Sequence, residues 1–119
     1  MTKISLGRKG EEIAEKFLQD RGFRILEKNF RSRLGEIDLI GIDKETLVFI
    51  EVKTRFSEEF GPPEEAVTPR KIKTIAKVGQ YYALLHPESP ESERIDVVAI
   101  DFNNDGGLER IELIENVTG

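Results

Sequence analysis

Cysteine is absent from this chain, so neither a disulfide nor a thiolate-held zinc site can form. Histidine occurs once, as His86, which excludes a metal cluster built from several imidazoles. His86 closes a helical stretch with no partner motif beside it, and so reads as a surface cap rather than a catalytic base. No apolar run approaches the ~20 residues that span a bilayer. Met1-Thr2-Lys3-Ile4 leads straight into a charged helix instead of a signal peptide. A cytoplasmic location is the default expectation. Repeats and low-complexity tracts are also missing. Charge is plentiful: 34% of the 119 residues are charged and 38% hydrophobic, a balance that suits one folded domain, 1–119, over a disordered chain.

The net charge of −5 argues mildly against nucleic acid, but it is unevenly spread. Residues 1–35 hold nine Lys/Arg and five Asp/Glu, and residues 66–87 hold four basic residues and no acid. Residues 88–119 hold two basic and nine acidic residues, so the deficit lies in the tail. The two basic segments frame the stretch 35–55 and would attract phosphate.

That stretch, GEIDLIGIDKETLVFIEVKTR, contains two apolar-alternating runs, 36–42 and 46–54, around a polar turn at Asp43 and Lys44. It predicts an antiparallel hairpin. Strand residues two apart share a face. Leu47, Phe49, Glu51 and Lys53 therefore point one way, with Val48, Ile50 and Val52 opposite; Glu36 and Asp38 share a face on the first strand. A two-residue loop sets Asp38 opposite Phe49 and diagonal to Glu51, whereas a four-residue loop sets Asp38 directly opposite Glu51. Both registers bring the two carboxylates within reach, with Lys53 one pleat further on. Facing like charges destabilise a strand pair by ~0.2–1 kcal/mol, and a shared cation reverses that sign. Two carboxylates with waters suit Mg²⁺ or Mn²⁺. The alternative is a solvated hairpin face. The apolar run that Glu51 and Lys53 interrupt disfavours it, because buried charge persists only when paired or metal-bound.

Around this hairpin, residues 5–21 predict an amphipathic helix with Ser5 as N-cap, Gly22 as stop, and an apolar stripe of Leu6, Gly10, Ile13, Ala14, Phe17 and Leu18. Glu11 borders the stripe. It either leans over the sheet towards Asp38 and Glu51 or simply favours the positive helix start. Residues 23–30 predict an edge strand, followed by a basic connection carrying Arg31 and Arg33. Residues 56–63 predict a loop bordering the substrate. Thr68 and Pro69 open a helix to about Leu85, with Ile72, Ile75, Ala76, Gly79, Tyr82 and Ala83 inward and Arg70, Lys73 and Lys77 outward. Strands at 94–100 and 108–114 complete the order α-β-β-β-α-β-β, an α/β mixed sheet flanked by helices.

Asp38, a twelve-residue spacer and Glu51-Val52-Lys53 resemble the D-(spacer)-ExK core of the PD-(D/E)xK nuclease superfamily. Ile37 stands where a proline usually precedes the first acid. More widely, Gly10-Glu11, Gly22-Phe23, Gly35-Glu36-Ile37-Asp38-Leu39-Ile40 and Phe49-Ile50-Glu51-Val52-Lys53-Thr54-Arg55 resemble, in that order, the YraN-like family of small bacterial proteins, across residues 6–100. That resemblance implies a restriction-endonuclease-like fold and a distant similarity to archaeal Holliday junction resolvases. It also implies a metal-dependent endonuclease acting on nucleic acid, with branched or junction DNA as its substrate class.

On that reading Asp38, Glu51 and the Val52 main-chain carbonyl hold Mg²⁺ (or Mn²⁺), Lys53 orients the nucleophile or stabilises the phosphate, and Glu11 is an outer partner. Arg31, Arg33, Arg55, Arg70, Lys73 and Lys77 are the expected nucleic-acid contacts. Glu36 and Gln80 are accessory candidates, Gln80 because some superfamily members carry a glutamine on this helix. A resolvase-like role implies a homodimer. The rival expectations are a catalytically silent nucleic-acid-binding module of a repair complex and a protein-binding domain that works through its acidic tail.

Overall fold

A computed structural model describes residues 3–56 and 61–118. The elements run α1 (Lys3–Asp20), β1 (Arg24–Ser32), β2 (Gly35–Asp43), β3 (Thr46–Phe56), α2 (Pro69–Leu85), β4 (Ser92–Phe102) and β5 (Leu108–Ile114). A short 3-10 turn, Pro63–Glu65, starts at the last residue of the expected loop and precedes α2; residues 57–60 of that loop lie outside the described residues. The order matches the sequence reading. α1 starts at Lys3 rather than after a cap at Ser5, so Ser5 lies within the helix.

Five strands form one mixed sheet in the order β1-β2-β3-β4-β5. Among the described strands only β3 and β4 are parallel, and α2 makes the crossover between them. The helices cover opposite faces. α1 buries Leu6, Ala14 and Leu18 against Val48, Ile50, Val98 and Ile100. α2 buries Ile75, Val78 and Tyr82 against Ile37, Ile40, Phe49 and Ile95.

Two glycines set the chain direction and the helix height. Gly22, at φ +97°, ends α1 in a left-handed conformation: its amide bonds the Gln19 carbonyl, and the Phe23 amide bonds that of Leu18. Phe23 and Leu18 then share the α1-side core, as this type of helix end favours. Gly79 brings α2 down onto the Phe49 ring, where a Cβ would lie 2.5 Å from Cε2.

The hairpin turn is Lys44-Glu45, closed by Asp43 facing Thr46, one residue later than the turn expected around Asp43 and Lys44. Lys44 takes φ +58° there. This turn has two residues, yet it produces the register expected of the longer loop, with Leu39 opposite Ile50 and Ile40 opposite Phe49. Asp38 therefore falls in line with Glu51.

Candidate active site

The β2–β3 ladder stops where the acids stand. Its last rung joins Leu39 to Ile50. Beyond it, β2 stays with β1 through Ile37 opposite Phe30 and Gly35 opposite Ser32, while β3 stays with β4 to Phe56 opposite Phe102. The next β2–β3 rung would join Ile37 to Val52. Instead the Val52 amide donates to Asp38 Oδ2 at 2.8 Å. A side-chain oxygen replaces a main-chain carbonyl, and the sheet opens into a fork with one acid on each prong. An extended residue sends its N–H and C=O towards the same neighbour, so the Val52 carbonyl also faces the fork.

Asp38 and Glu51, both half-buried, hydrogen-bond each other through their carboxyl groups. Burial, then the charge of Asp38, push the Glu51 carboxyl up to about 7. Burial raises Asp38 as well; the bonds from Val52 and Glu51 offset part of that rise. Glu51 is thus the proton-holding member and Asp38 the acceptor. Lys53 shares the face of Glu51, stands exposed, and helps favour its ionised form.

Glu11 arrives from the opposite side. Gly10 packs so closely on β3 that a Cβ would meet Thr54 Oγ1 at 2.5 Å. The next residue, Glu11, is thereby held beside the fork, where burial and then the charge of Asp38 raise its pKa, while the Asn29 side chain hydrogen-bonds it. Asn29 adopts φ +53° on β1, next to the pair Lys28–Leu39. Among the described residues, no three acidic or imidazole side chains converge closely enough to hold a metal by themselves. The acids form a pair with Glu11 outside it. Two carboxylates and a carbonyl are an oxygen-only donor set. They fit Mg²⁺ or Mn²⁺, hard cations that commonly keep several waters and take only one or two protein carboxylates.

Comparison with known proteins bears on the same residues. The model of a family described as "Uncharacterised protein family UPF0102" matches residues 10–100. The chain belongs to the UPF0102 family. It is 49% identical over 117 residues to a UPF0102 protein of Chlorobium phaeobacteroides, covering 95% of this chain and 90% of that one. It is 43% identical over 113 residues to one from Syntrophus aciditrophicus, covering 95% and 87%. With one from Caldicellulosiruptor saccharolyticus the identity is 41% over 116 residues, 98% of both chains. The YraN-like resemblance read from the motif blocks is thus a family relationship, and the matched span contains Glu11, Asp38, Glu51 and Lys53.

The remaining expected site residues of this UPF0102 chain divide by position. Arg31 is exposed and paired with Glu36 at 3.1 Å, and the charge of Glu36 acts on Asp38 and Glu11. Arg33, Arg70, Lys73 and Lys77 are exposed. Arg55 is not on the free surface. It is 5% exposed, holds Asp101 bidentately at 2.7 and 2.9 Å, and donates to the Gly61 carbonyl at 3.1 Å. Its neighbour in the parallel register is Asp101 itself, which makes Arg55 a structural cation. Gln80 follows Gly79, above Phe49, and borders a shallow groove with Glu93 and Arg94, away from the acids. His86 is the helix C-cap, stacked on Tyr82 and 3.4 Å from Glu88.

Sequence reasoning missed Lys71. This half-buried lysine in the first turn of α2 acts electrostatically on both Asp38 and Glu51, and more strongly on Glu51 than Lys53 does. Its signal was its spacing, four residues before Ile75 on the inward stripe.

Proposed function

We propose that this UPF0102 protein is a divalent-metal-dependent endonuclease that hydrolyses phosphodiester bonds in nucleic acid. The observation that supports it best is the pair of half-buried carboxylates at a broken sheet rung, hydrogen-bonded to each other with lysines alongside. The fold gains little from this pair: forcing two acids together in a partly dry fork is unfavourable unless a cation joins them, and such perturbed groups cluster at functional sites.

Asp38, Glu51 and the Val52 carbonyl are the protein groups that would hold Mg²⁺ or Mn²⁺. A cation bound there supplies Lewis acidity, lowering the pKa of a coordinated water and neutralising the charge that builds on the phosphate. The chain's own groups do the rest. The Val52 amide fixes one oxygen of Asp38 and leaves the other available. Lys53, exposed on the face of Glu51, orients the attacking water or pairs with a phosphate oxygen. Glu11, steadied by Asn29, is an outer, water-mediated partner. Exposed Arg31, Arg33, Arg70, Lys73 and Lys77 contact the nucleic-acid backbone. Branched or junction DNA as substrate, a two-fold dimer and a cytoplasmic location complete the proposal; the first two rest on the similarity to junction resolvases.

The test is a cleavage panel of linear, flap and four-way-junction DNA and RNA, with Mg²⁺, Mn²⁺ or EDTA. At least one DNA should be cut with metal and none in EDTA. Asp38→Asn and Glu51→Gln should lose cleavage while binding persists or tightens. If either variant cuts as fast as the parent, the reading is wrong. Binding without cleavage of any substrate, and without uptake of Mg²⁺, would identify the protein as a silent nucleic-acid-binding module.

A further inference from the structure

We infer that Lys71 is a second lysine of this site, contacting the phosphate of a bound nucleic acid from the α2 side of the fork. The inference rests on the nuclease reading and adds a residue outside the Asp38–Glu51–Lys53 set.

Three placements carry it. First, β3 and β4 are parallel and α2 joins them, so α2 runs antiparallel to β3. Gly79 lies on Phe49, which fixes the register of helix over strand. Moving from Phe49 to Glu51 and Lys53 along β3 therefore moves back along α2 from Gly79, through Ile75, towards Lys71.

Second, Lys71 lies four residues before fully buried Ile75 and seven before fully buried Val78, on the stripe that faces the sheet. The same helix face is pinned at the start of β2, where a Cβ on Gly35 would come within 2.7 Å of Thr74 Cγ2. Lys71 is half-buried, whereas its neighbours Arg70 and Lys73 are exposed. A lysine on such a stripe lays its aliphatic stem over the sheet and delivers its ammonium at the edge, here at the mouth of the fork.

Third, Lys71 lies within electrostatic reach of both Asp38 and Glu51. Thr68 Oγ1 caps the Lys71 amide at 3.1 Å, fixing the turn from which the side chain reaches. A cation anchored to a rigid helix over two acids meets any phosphate drawn into the fork. It also supplies positive charge that sites with two metal ions obtain from the second ion.

The experiment compares the parent, Lys71→Ala, Lys71→Arg and Lys44→Ala, the last at the far hairpin turn. Fluorescence anisotropy with a labelled DNA in EDTA, across a salt series, reads the contact without metal. Lys71→Ala should weaken binding about three- to tenfold near 0.1 M salt and reduce the slope of log K against log salt by about 0.7–0.9, one phosphate contact. Lys71→Arg should keep that slope, and Lys44→Ala should match the parent. Cleavage with Mg²⁺ should fall about a hundredfold in Lys71→Ala. If Lys71→Ala binds with the parent's slope and cuts at the parent's rate, the assignment of Lys71 fails and the nuclease reading stands. If the parent binds DNA and Lys71→Ala shows the reduced slope but nothing is ever cut, the contact stands and the nuclease reading fails. A parent that neither binds nor cuts overturns both.

Discussion

Glu51→Gln should make the metal-free protein more stable at pH 8 while removing the proposed cleavage activity. The Glu51 carboxyl sits at about 7 in the folded protein against an ordinary 4.5, raised by burial and by Asp38. Between those values the folded state holds a proton that the unfolded chain has released. Stability therefore falls as pH rises from about 4.5 through about 7, the opposite of an ion-paired carboxylate. At about 1.36 kcal/mol per pKa unit the ceiling of that loss is about 3 kcal/mol. Glu51 is only half-buried, so solvent screening reduces the expected value to about 1–2 kcal/mol. A glutamine amide keeps a donor for the Asp38 carboxylate and has no proton to lose.

Chemical denaturation in EDTA at pH 5 and pH 8 measures this directly. The variant should gain about 1–2 kcal/mol over the parent at pH 8 and little at pH 5. Magnesium should reverse the ranking, because a ligand that binds only the folded state stabilises by RT ln(1 + [L]/Kd), about 2.7 kcal/mol at a hundred times Kd. The parent should gain that stability and the variant should not. A variant that loses stability equally at both pH values, or that Mg²⁺ stabilises as much as it does the parent, would refute the claim that the Asp38–Glu51 pair is strained and relieved by a cation.

Asp101 provides a contrast in sign. Burial alone would raise its pKa, but hydrogen bonds from Arg55 and Arg110 outweigh burial and hold it low. Its contribution is present at neutral pH and lost only in acid, as pH falls below the ordinary aspartate range towards its depressed pKa. Asp101→Ala leaves Arg55 buried without its partner and should cost about 3–5 kcal/mol, visible as a large fall in thermal midpoint. Gly79→Ala should destabilise by about 1–2 kcal/mol, the helix-propensity gain of ~1 kcal/mol offsetting part of the overpacking against Phe49. Phe49→Leu in the same chain should recover part of that loss, read as a non-additive double-mutant cycle. Asp38→Ala should be less stable than Asp38→Asn by about 1–3 kcal/mol in EDTA, because alanine leaves the Val52 amide without its acceptor.

What the sequence did and did not reveal follows from how far apart the causes lie along the chain. Both helices, all five strands and the sharing of one face by Glu51 and Lys53 depend on periods of 3.6 and 2 within short windows, and these were legible. The hairpin register was left between two loops, because the actual turn places Lys44, not a glycine, at positive φ. No local preference announces that choice; long-range packing of Ile40 and Leu47 on the α2 face imposes it. Arg55 looked like one more basic residue after the ExK pair. Its burial is a consequence of β4 lying parallel beside β3, which sets Asp101, 46 residues away, against it. Lys71 was hidden for a related reason: an apolar stripe was traced through apolar residues, and a lysine one turn before Ile75 was passed over.

These differences point to a division of labour between the cations. Arg55 is locked by Asp101 and the Gly61 carbonyl, so it cannot move towards a phosphate without leaving a buried carboxylate unpaired. Among the described residues Lys53 and Lys71 have no such partner in the core, yet both bear on Glu51 from the strand below and the helix above. The fork thus gathers two acids and two lysines from β2, β3 and α2. The sheet rung that would have closed it is held open by Asp38 accepting from Val52. A fold selected for stability alone would gain by completing that rung with main chain and placing an apolar residue at position 38, next to Ile37 and Leu39. The open rung is the feature that the proposed metal site, rather than folding, explains.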